Sequence, residues 1–303
     1  MATTIHYRIL KLSGLFALTR QLRQGALILC YHNVVAADQA PPNGDPGLHM
    51  PLPRFRSQMR WLGGHYEMVS LAELMDRLRS KRRVGSLATV TFDDGYAGVF
   101  THALPVLRDL GIPAAVFVVA NVPATCEEFW WDHPAVTPSL LHSQRQRWLE
   151  TLRGDGKMIL STLGAGRVDR RASDLVRPAD WATIAAAARS GVTVGVHSAS
   201  HRVLSRLSDA ELRDEVVTAR TTIGTQLGSE PELFAYPYGL WTDRVRQAVA
   251  AAGYRAAVTL NSGLNTKSAD PMALRRLNVP AQISDAAFEA WTAGLRLSWR
   301  RQR

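Results

Sequence analysis

The sequence predicts an α/β fold in which about seven parallel strands alternate with helices. Two patterns carry this expectation. Short apolar, β-branched runs recur along the chain, among them Leu87-Ala88-Thr89-Val90 and Val192-Thr193-Val194-Gly195-Val196, each of a length suited to a buried strand. Between them lie stretches of helical periodicity with N-cap residues and glycine stops, and that alternation belongs to parallel sheets with helical crossovers. The length, 303 residues, is enough to bury one barrel-sized core. No internal repeat or low-complexity tract divides the chain.

Residues 1–24 carry Ile5, Ile9, Leu12, Leu15, Phe16 and Leu22 among Arg8, Lys11, Arg20 and Arg23. This predicts an N-terminal amphipathic basic helix. Its cations are interleaved rather than gathered ahead of an apolar block, so it is not a secretory signal. Nor is any stretch long enough to span a bilayer. Such a helix lies on an anionic membrane or docks on the domain behind it. The main domain is expected over residues 25–285.

Residues 26–31 predict the first strand, ending at His32, with a polar, Pro-rich loop through Pro53. A helix over 55–62 and a short strand over 66–69 follow. Ser70 then starts a helix with Glu73 in capping-box register. The strand into Asp93, a helix over 98–110 ended by Gly111, and a strand over 114–119 come next. Residues 121–177 break the rhythm and predict an insertion with helices of its own. A helix over 177–189 leads to a strand ending at His197. Ser208, with Glu211 three residues on, starts a long helix to about Leu227. Residues 233–236, 242–252 and 255–260 predict strand, helix and strand, residues 273–279 the last strand, and residues 286–303 a basic C-terminal helix.

Chemistry gathers at the predicted strand ends. Thr91-Phe92-Asp93-Asp94-Gly95-Tyr96 places two adjacent carboxylates where desolvation is costly without a cation beside them. Side chains alternate along a strand, so one carboxylate can bind a metal while the other handles a proton. A lone Asp-Asp-Gly is more often a solvated turn. About a hundred residues on, another strand ends in His197-Ser198-Ala199-Ser200-His201. Two imidazoles and one carboxylate with an open position form a catalytic rather than structural metal arrangement. Phe129-Trp130-Trp131-Asp132 heads the insertion, and Trp131 either stacks on a sugar ring or anchors the insertion.

These motifs, with Phe234-Ala235-Tyr236-Pro237-Tyr238-Gly239, the opening Leu29-Cys30-Tyr31-His32-Asn33 and residues 55–79, resemble the polysaccharide deacetylase family (the NodB homology domain, carbohydrate esterase family 4) over roughly residues 25–280. The resemblance implies a distorted (β/α) barrel of about seven strands that removes N-acetyl groups from the amino sugars of a glycan. It implies Asp93 as general base and one divalent ion on Asp94, His197 and His201, zinc in first place with cobalt or nickel as alternatives. Pro237 and Tyr238 would line the oxyanion site. Two departures stand out: Ala235 occupies the position of a family arginine that steadies the base, and Leu277-Asn278-Val279 stand where the family has its late, acidic histidine.

Two substitutes are predicted. Arg275 and Arg276 are neighbours on the last strand, so one faces inward, and Arg276 is expected to pair with Asp93. First and last strands of a barrel are neighbours, so His32 can reach the place of the missing histidine and act as the acid. Competing readings are a non-catalytic glycan-binding protein on the same fold and a hydrolase of another amide or of an O-acetyl ester.

Net charge is +10, from 36 Lys and Arg against 26 Asp and Glu. That favours anionic partners, but no nucleic-acid fold signature accompanies it, so specific nucleic-acid binding is not expected. Two cysteines, Cys30 and Cys126, do not make a disulfide framework. The expected partners are an N-acetylated glycan of exopolysaccharide type, or its lipid-linked intermediate, and an anionic membrane. The expected location is cytoplasmic, peripheral at the inner membrane face.

Overall fold

The computed structural model describes residues 14–36, 44–165 and 175–295. Its strands are β1 (Leu27–Tyr31), β2 (Asn33–Val35), β3 (His49–Pro51), β4 (Glu67–Met68), β5 (Leu87–Phe92), β6 (Ala114–Val118), β7 (Thr193–Val196), β8 (Leu233–Ala235), β9 (Ala256–Val258) and β10 (Leu277–Asn278). Seven of them lie in the order β10-β1-β5-β6-β7-β8-β9, with β4 added on β5, and every pairing along that path is parallel. β2 and β3 form a separate parallel pair inside the segment expected to be loop.

The curled sheet nearly closes on itself. Leu274 bridges β9, its N–H donating to Ala257 O at 2.9 Å, and three residues later Leu277 and Asn278 pair with Leu29 and Cys30 of β1. The single strand expected over 273–279 is therefore split. This segment crosses the gap between β9 and β1, bonding first to one and then to the other.

Side-chain alternation sets two layers. Ile28, Ala115, Phe117, Leu233, Ala235, Ala256, Val258 and Leu274 point into the barrel and form one buried cluster. Leu27, Leu29, Val90, Phe92, Val116 and Phe234 point outward to the helices. Both faces are covered, which is why the strands read as continuous apolar runs rather than alternating ones. Phe117 is fully buried in the lumen. A Cβ at Gly195 would lie 2.5 Å from that ring, so only glycine fits there.

The helices are α1 (Leu15–Leu22), α2 (Leu52–His65), α3 (Leu71–Arg79), α4 (Leu104–Asp109), α5 (Pro138–Thr151), α6 (Gly156–Thr162), α7 (Trp181–Arg189), α8 (Asp209–Arg213), α9 (Ala219–Leu227), α10 (Asp243–Ala251) and α11 (Asp285–Thr292). α3 starts at the Ser70 cap and buries Leu71, Leu74 and Leu78 against the lumen cluster, plugging the end where the strands begin. Ser208 and Glu211 form the expected capping box of α8. The insertion carries α5 and α6. α7 begins later than expected: Asp180 caps it, while Pro178 bridges Tyr96 in extended form. α11 ends at Thr292, just ahead of Gly294 with φ 89°. The basic end expected to continue it, and residues 1–13 of the N-terminal helix, lie outside the described residues.

α1 is fixed to the barrel by Phe16 and Arg23. The buried guanidinium of Arg23 donates to Gly85 O at 2.8 Å, Thr292 O at 2.7 Å and Leu87 O at 3.3 Å, and it lies over Tyr66, 4.6 Å from the ring centroid. Removing it leaves three carbonyls to find other partners. Arg23→Met should cost about 3 kcal/mol of stability, read as a lower urea midpoint at unchanged slope. An unaltered midpoint would show that the three bonds contribute nothing net.

Candidate active site

The strand ends bring the predicted residues to one cleft of about 190 Å³. His32, Asp93, Asp94, His197, His201 and Tyr238 line it, with Trp131 and Asn278. They come from β1, β5, β7 and β8, all at their C-terminal ends, where barrel enzymes of parallel strands hold their chemistry.

Asp93 continues the inward-facing row Thr89, Thr91. Arg276, wholly buried on the closing segment, meets it in a two-pronged ion pair, NH1 to Oδ1 at 2.7 Å and NH2 to Oδ2 at 2.6 Å. Its Nε donates to Thr259 O at 2.9 Å, and its plane lies over Phe117 at 5.7 Å. Cys30 Sγ is 3.4 Å from Asp93 Oδ2. Burial alone would raise the Asp93 carboxyl; the charge and hydrogen bonds of Arg276 outweigh it and hold the group well below the usual carboxylate range.

Asp94 turns the other way, at φ 72°. Its Oδ1 is 3.5 Å from His197 Nε2 and 3.4 Å from His201 Nε2, and the two imidazole nitrogens are 3.1 Å apart. His197 Nδ1–H donates to Ala235 O at 2.8 Å, which leaves the Nε2 lone pair for a ligand. Asp94 Oδ1 is buried with no hydrogen-bond partner. Burial, with the like charge of Asp93, pushes its pKa well up; burial lowers both histidines, keeping them neutral. Neutral imidazoles and a carboxylate oxygen aimed at one point fit a divalent cation.

The loop bearing the histidines is held by a residue the sequence did not reveal. Buried Glu215, in the turn between α8 and α9, accepts from Ala199 N at 3.0 Å, Ser200 N at 2.9 Å and the Ser200 hydroxyl. His201 N donates to Ser198 Oγ at 2.9 Å. Ser198 and His201 both have positive φ, 62° and 60°. Glu215 lies fourteen residues past the motif on the π-helical turn Asp214–Thr218 that joins α8 to α9, with no sequence pattern to single it out. Arg145 and Asp45 were likewise unforeseen: they pair at 3.1 Å across the cleft mouth, joining α5 of the insertion to the stretch before β3.

The remaining predicted residues fall as follows. Tyr238, at φ 57°, sits on the turn Pro237–Gly239, its hydroxyl accepting from Trp130 Nε1 at 3.2 Å. Trp131 is buried, stacked on Phe129 at 4.7 Å and donating to the Tyr96 hydroxyl at 2.8 Å. Asp132 accepts from that same hydroxyl and contacts His49 Nε2 at 3.0 Å, so the aromatic motif ties the insertion to the barrel. His32 lies in the cleft beside Asp93, its pKa lowered to about 4, first by burial and against the pull of Asp93. Asn278 lines the cleft from β10, where an amide can hydrogen-bond but cannot supply a proton.

A family model described as polysaccharide deacetylase matches residues 81–257, more than half the chain, and spans all three motifs. The chain belongs to the polysaccharide deacetylase family. It is thus a hydrolase, a glycan deacetylase of a family that depends on a metal. Over 271 residues the deacetylase is 20% identical to the polysaccharide deacetylase homologue YxkH of Bacillus subtilis (strain 168), covering 89% of this chain and 76% of that protein. Its fold matches IcaB from Ammonifex degensii at a TM-score of 0.62, with 22% identity over 89% of this chain and 97% of that one. It also matches the Streptococcus pyogenes deacetylase PplD, in complex with acetate, at 0.62, with 18% identity over 86% and 95%. A de-N-acetylase from Aggregatibacter actinomycetemcomitans aligns at 0.64, with 17% identity over 88% and 99%.

Glu215 supports His197 and His201 only through their loop. Replacing it with Ala in the deacetylase should weaken metal binding by about 10- to 100-fold, measured by competition with a chelating dye. Unchanged affinity would reduce it to a packing residue.

Proposed function

We propose that the deacetylase removes N-acetyl groups from the amino sugars of an exopolysaccharide-type glycan. The observation that carries this reading is the meeting, in one cleft, of the Asp93–Arg276 pair with the Asp94–His197–His201 triad. Elements distant in sequence have no packing reason to deliver five ionisable groups to one point. The structural relative from Aggregatibacter actinomycetemcomitans is a de-N-acetylase, which supports an amide as the bond broken.

A divalent ion on Asp94 Oδ1, His197 Nε2 and His201 Nε2, zinc in first place, would polarise the acetyl carbonyl and acidify water. Asp93 takes the proton from the attacking water. Arg276 keeps Asp93 ionised and aimed, at a cost in basicity, so Asp93 gives that proton up again easily. The Tyr238 backbone N–H donates to the oxygen that gains charge, a contribution of about 3 kcal/mol to the barrier. The amine must leave protonated. His32 is neutral in the open cleft and becomes the acid by receiving the proton that Asp93 releases.

Acetate release from chitin oligomers, with metal content measured in parallel, tests the assignment. His197→Ala/His201→Ala should lose both metal and activity. Release from O-acetylated xylan with none from chitin oligomers would replace the amide reading with an ester one.

Arg276→Met should lower kcat by about 10²-fold or more. It should also move the acid limb of the pH profile to higher pH, because Asp93 loses the cation that depresses its pKa. An unpaired buried carboxylate destabilises by about 3–5 kcal/mol, so folding is checked by circular dichroism and by Asp93→Asn/Arg276→Met, which should fold and stay inactive. An unmoved pH profile in folded Arg276→Met would reject the role. His32→Gln should lose about 10²-fold in kcat with full metal occupancy; loss of metal instead would make His32 a ligand.

A further inference from the structure

The end of the barrel opposite the cleft has a different surface. α1 exposes Leu18 and Leu22, 52% and 69% accessible, one turn apart on the same face. Leu22 lines a groove with Lys81, Arg83 and Lys267, and Lys81, Arg82, Arg83 and Lys267 are all exposed. No carboxylate lines this groove among the described residues. Lys81 and Lys267 also border a second cavity of about 720 Å³. It opens where β7 and β8 begin, at Thr193 and Leu233, with Met75, Leu78 and Leu274 in its lining; its three acids, Asp76, Glu230 and Glu232, are each paired with an arginine.

Two adjacent leucines in water, with Lys81, Arg83 and Lys267 and no carboxylate in the groove beside Leu22, match neither a packing surface nor an ordinary solvated face. A soluble acidic polymer would need the cations but not the leucines. An anionic bilayer needs both, since apolar side chains enter the headgroup boundary while cations meet lipid phosphates. The net charge of +10 adds long-range attraction of the same sign. No helix among the described residues is long and apolar enough to cross a membrane, so contact through α1 is with the surface.

We infer that this end of the barrel docks on an anionic phospholipid surface, with Leu18 and Leu22 inserted and Lys81, Arg83 and Lys267 on the headgroups. The contact is independent of the chemistry, because none of these residues reaches the cleft. The sequence pattern of residues 1–13, with Ile5, Ile9 and Leu12 among Arg8 and Lys11, extends the same mixture of apolar and basic residues.

The test is sedimentation of the full chain with vesicles of phosphatidylcholine alone or mixed with phosphatidylglycerol, at low and high salt. Wild type should bind only the anionic vesicles and release them as salt rises. Leu18→Ser/Leu22→Ser and, separately, Lys81→Glu/Lys267→Glu should each bind about tenfold more weakly or worse. Both should keep wild-type acetate release from a soluble oligomer, which also shows that they fold. Equal binding by the serine variant would overturn insertion, and equal binding by the charge-reversed variant would overturn headgroup contact. Binding abolished by deleting residues 1–13 but untouched by both pairs of substitutions would move the contact off this face and overturn the proposal.

Discussion

The ion pair between Arg276 and Asp93 is the constraint on which both barrel and cleft depend. A fully buried guanidinium and carboxylate are each costly to desolvate and repay that cost only with good geometry and every remaining donor satisfied. Here Arg276 uses Nε on Thr259 O and both terminal nitrogens on Asp93, with Thr91 Oγ1 beside NH1 at 3.2 Å. Those partners lie past the end of β9 and along β5, so the side chain ties together both sides of the barrel that the closing segment joins. The segment crosses from β9 to β1 at the point where its arginine turns inward. The same contact keeps Asp93 ionised.

Around this fixed point the backbone is held in unusual conformations. Asp94, Ser198, His201 and Tyr238 all have positive φ, a conformation that costs non-glycine residues of order 1 kcal/mol or more and persists only where surroundings enforce it. Glu215 enforces it for the histidine loop. The insertion does so for Tyr238 through Trp130, and the buried Asp132, Tyr96 and His49 hold the insertion. The Asp94–His197–His201 cluster is thus held by a shell drawn from the turn Trp130–Asp132, from Tyr96, from β3 and from the segment between α8 and α9, none of which carries one of the three.

Much of this was legible in the sequence, and the reason is periodicity. Strands buried on both faces produce apolar runs that stand out, and these candidate site residues follow directly on such runs: His32 after β1, Asp93 and Asp94 after β5, His197 after β7. Arg276 was legible because strand alternation forces one of two adjacent arginines inward. What escaped was what depends on tertiary contact alone. Glu215 acts through a loop fourteen residues away, and Arg145 meets Asp45 only because the insertion folds over the mouth. The β2–β3 pair hid in a segment rich in turn residues, since three-residue strands leave too short a pattern. The final strand was read as one because nothing local records that its two halves pair with different neighbours.

The two ends of the barrel together constrain the substrate. The cleft lies at the C-terminal strand ends, while α1 and the basic groove lie near the N-terminal ones. β5 alone has six residues, a height of roughly 20 Å at about 3.3 Å per residue, before loops are added. With the groove on a lipid surface, the cleft opens away from it, beyond the reach of a sugar or two attached directly to a lipid carrier. A chain of several sugars extending from the surface does reach it. Docking at this end therefore favours a growing or finished polymer over the first lipid-linked intermediates. Its effect on rate should then depend on glycan length, since holding the enzyme at the surface raises local concentration only for chains long enough to bend back into the cleft.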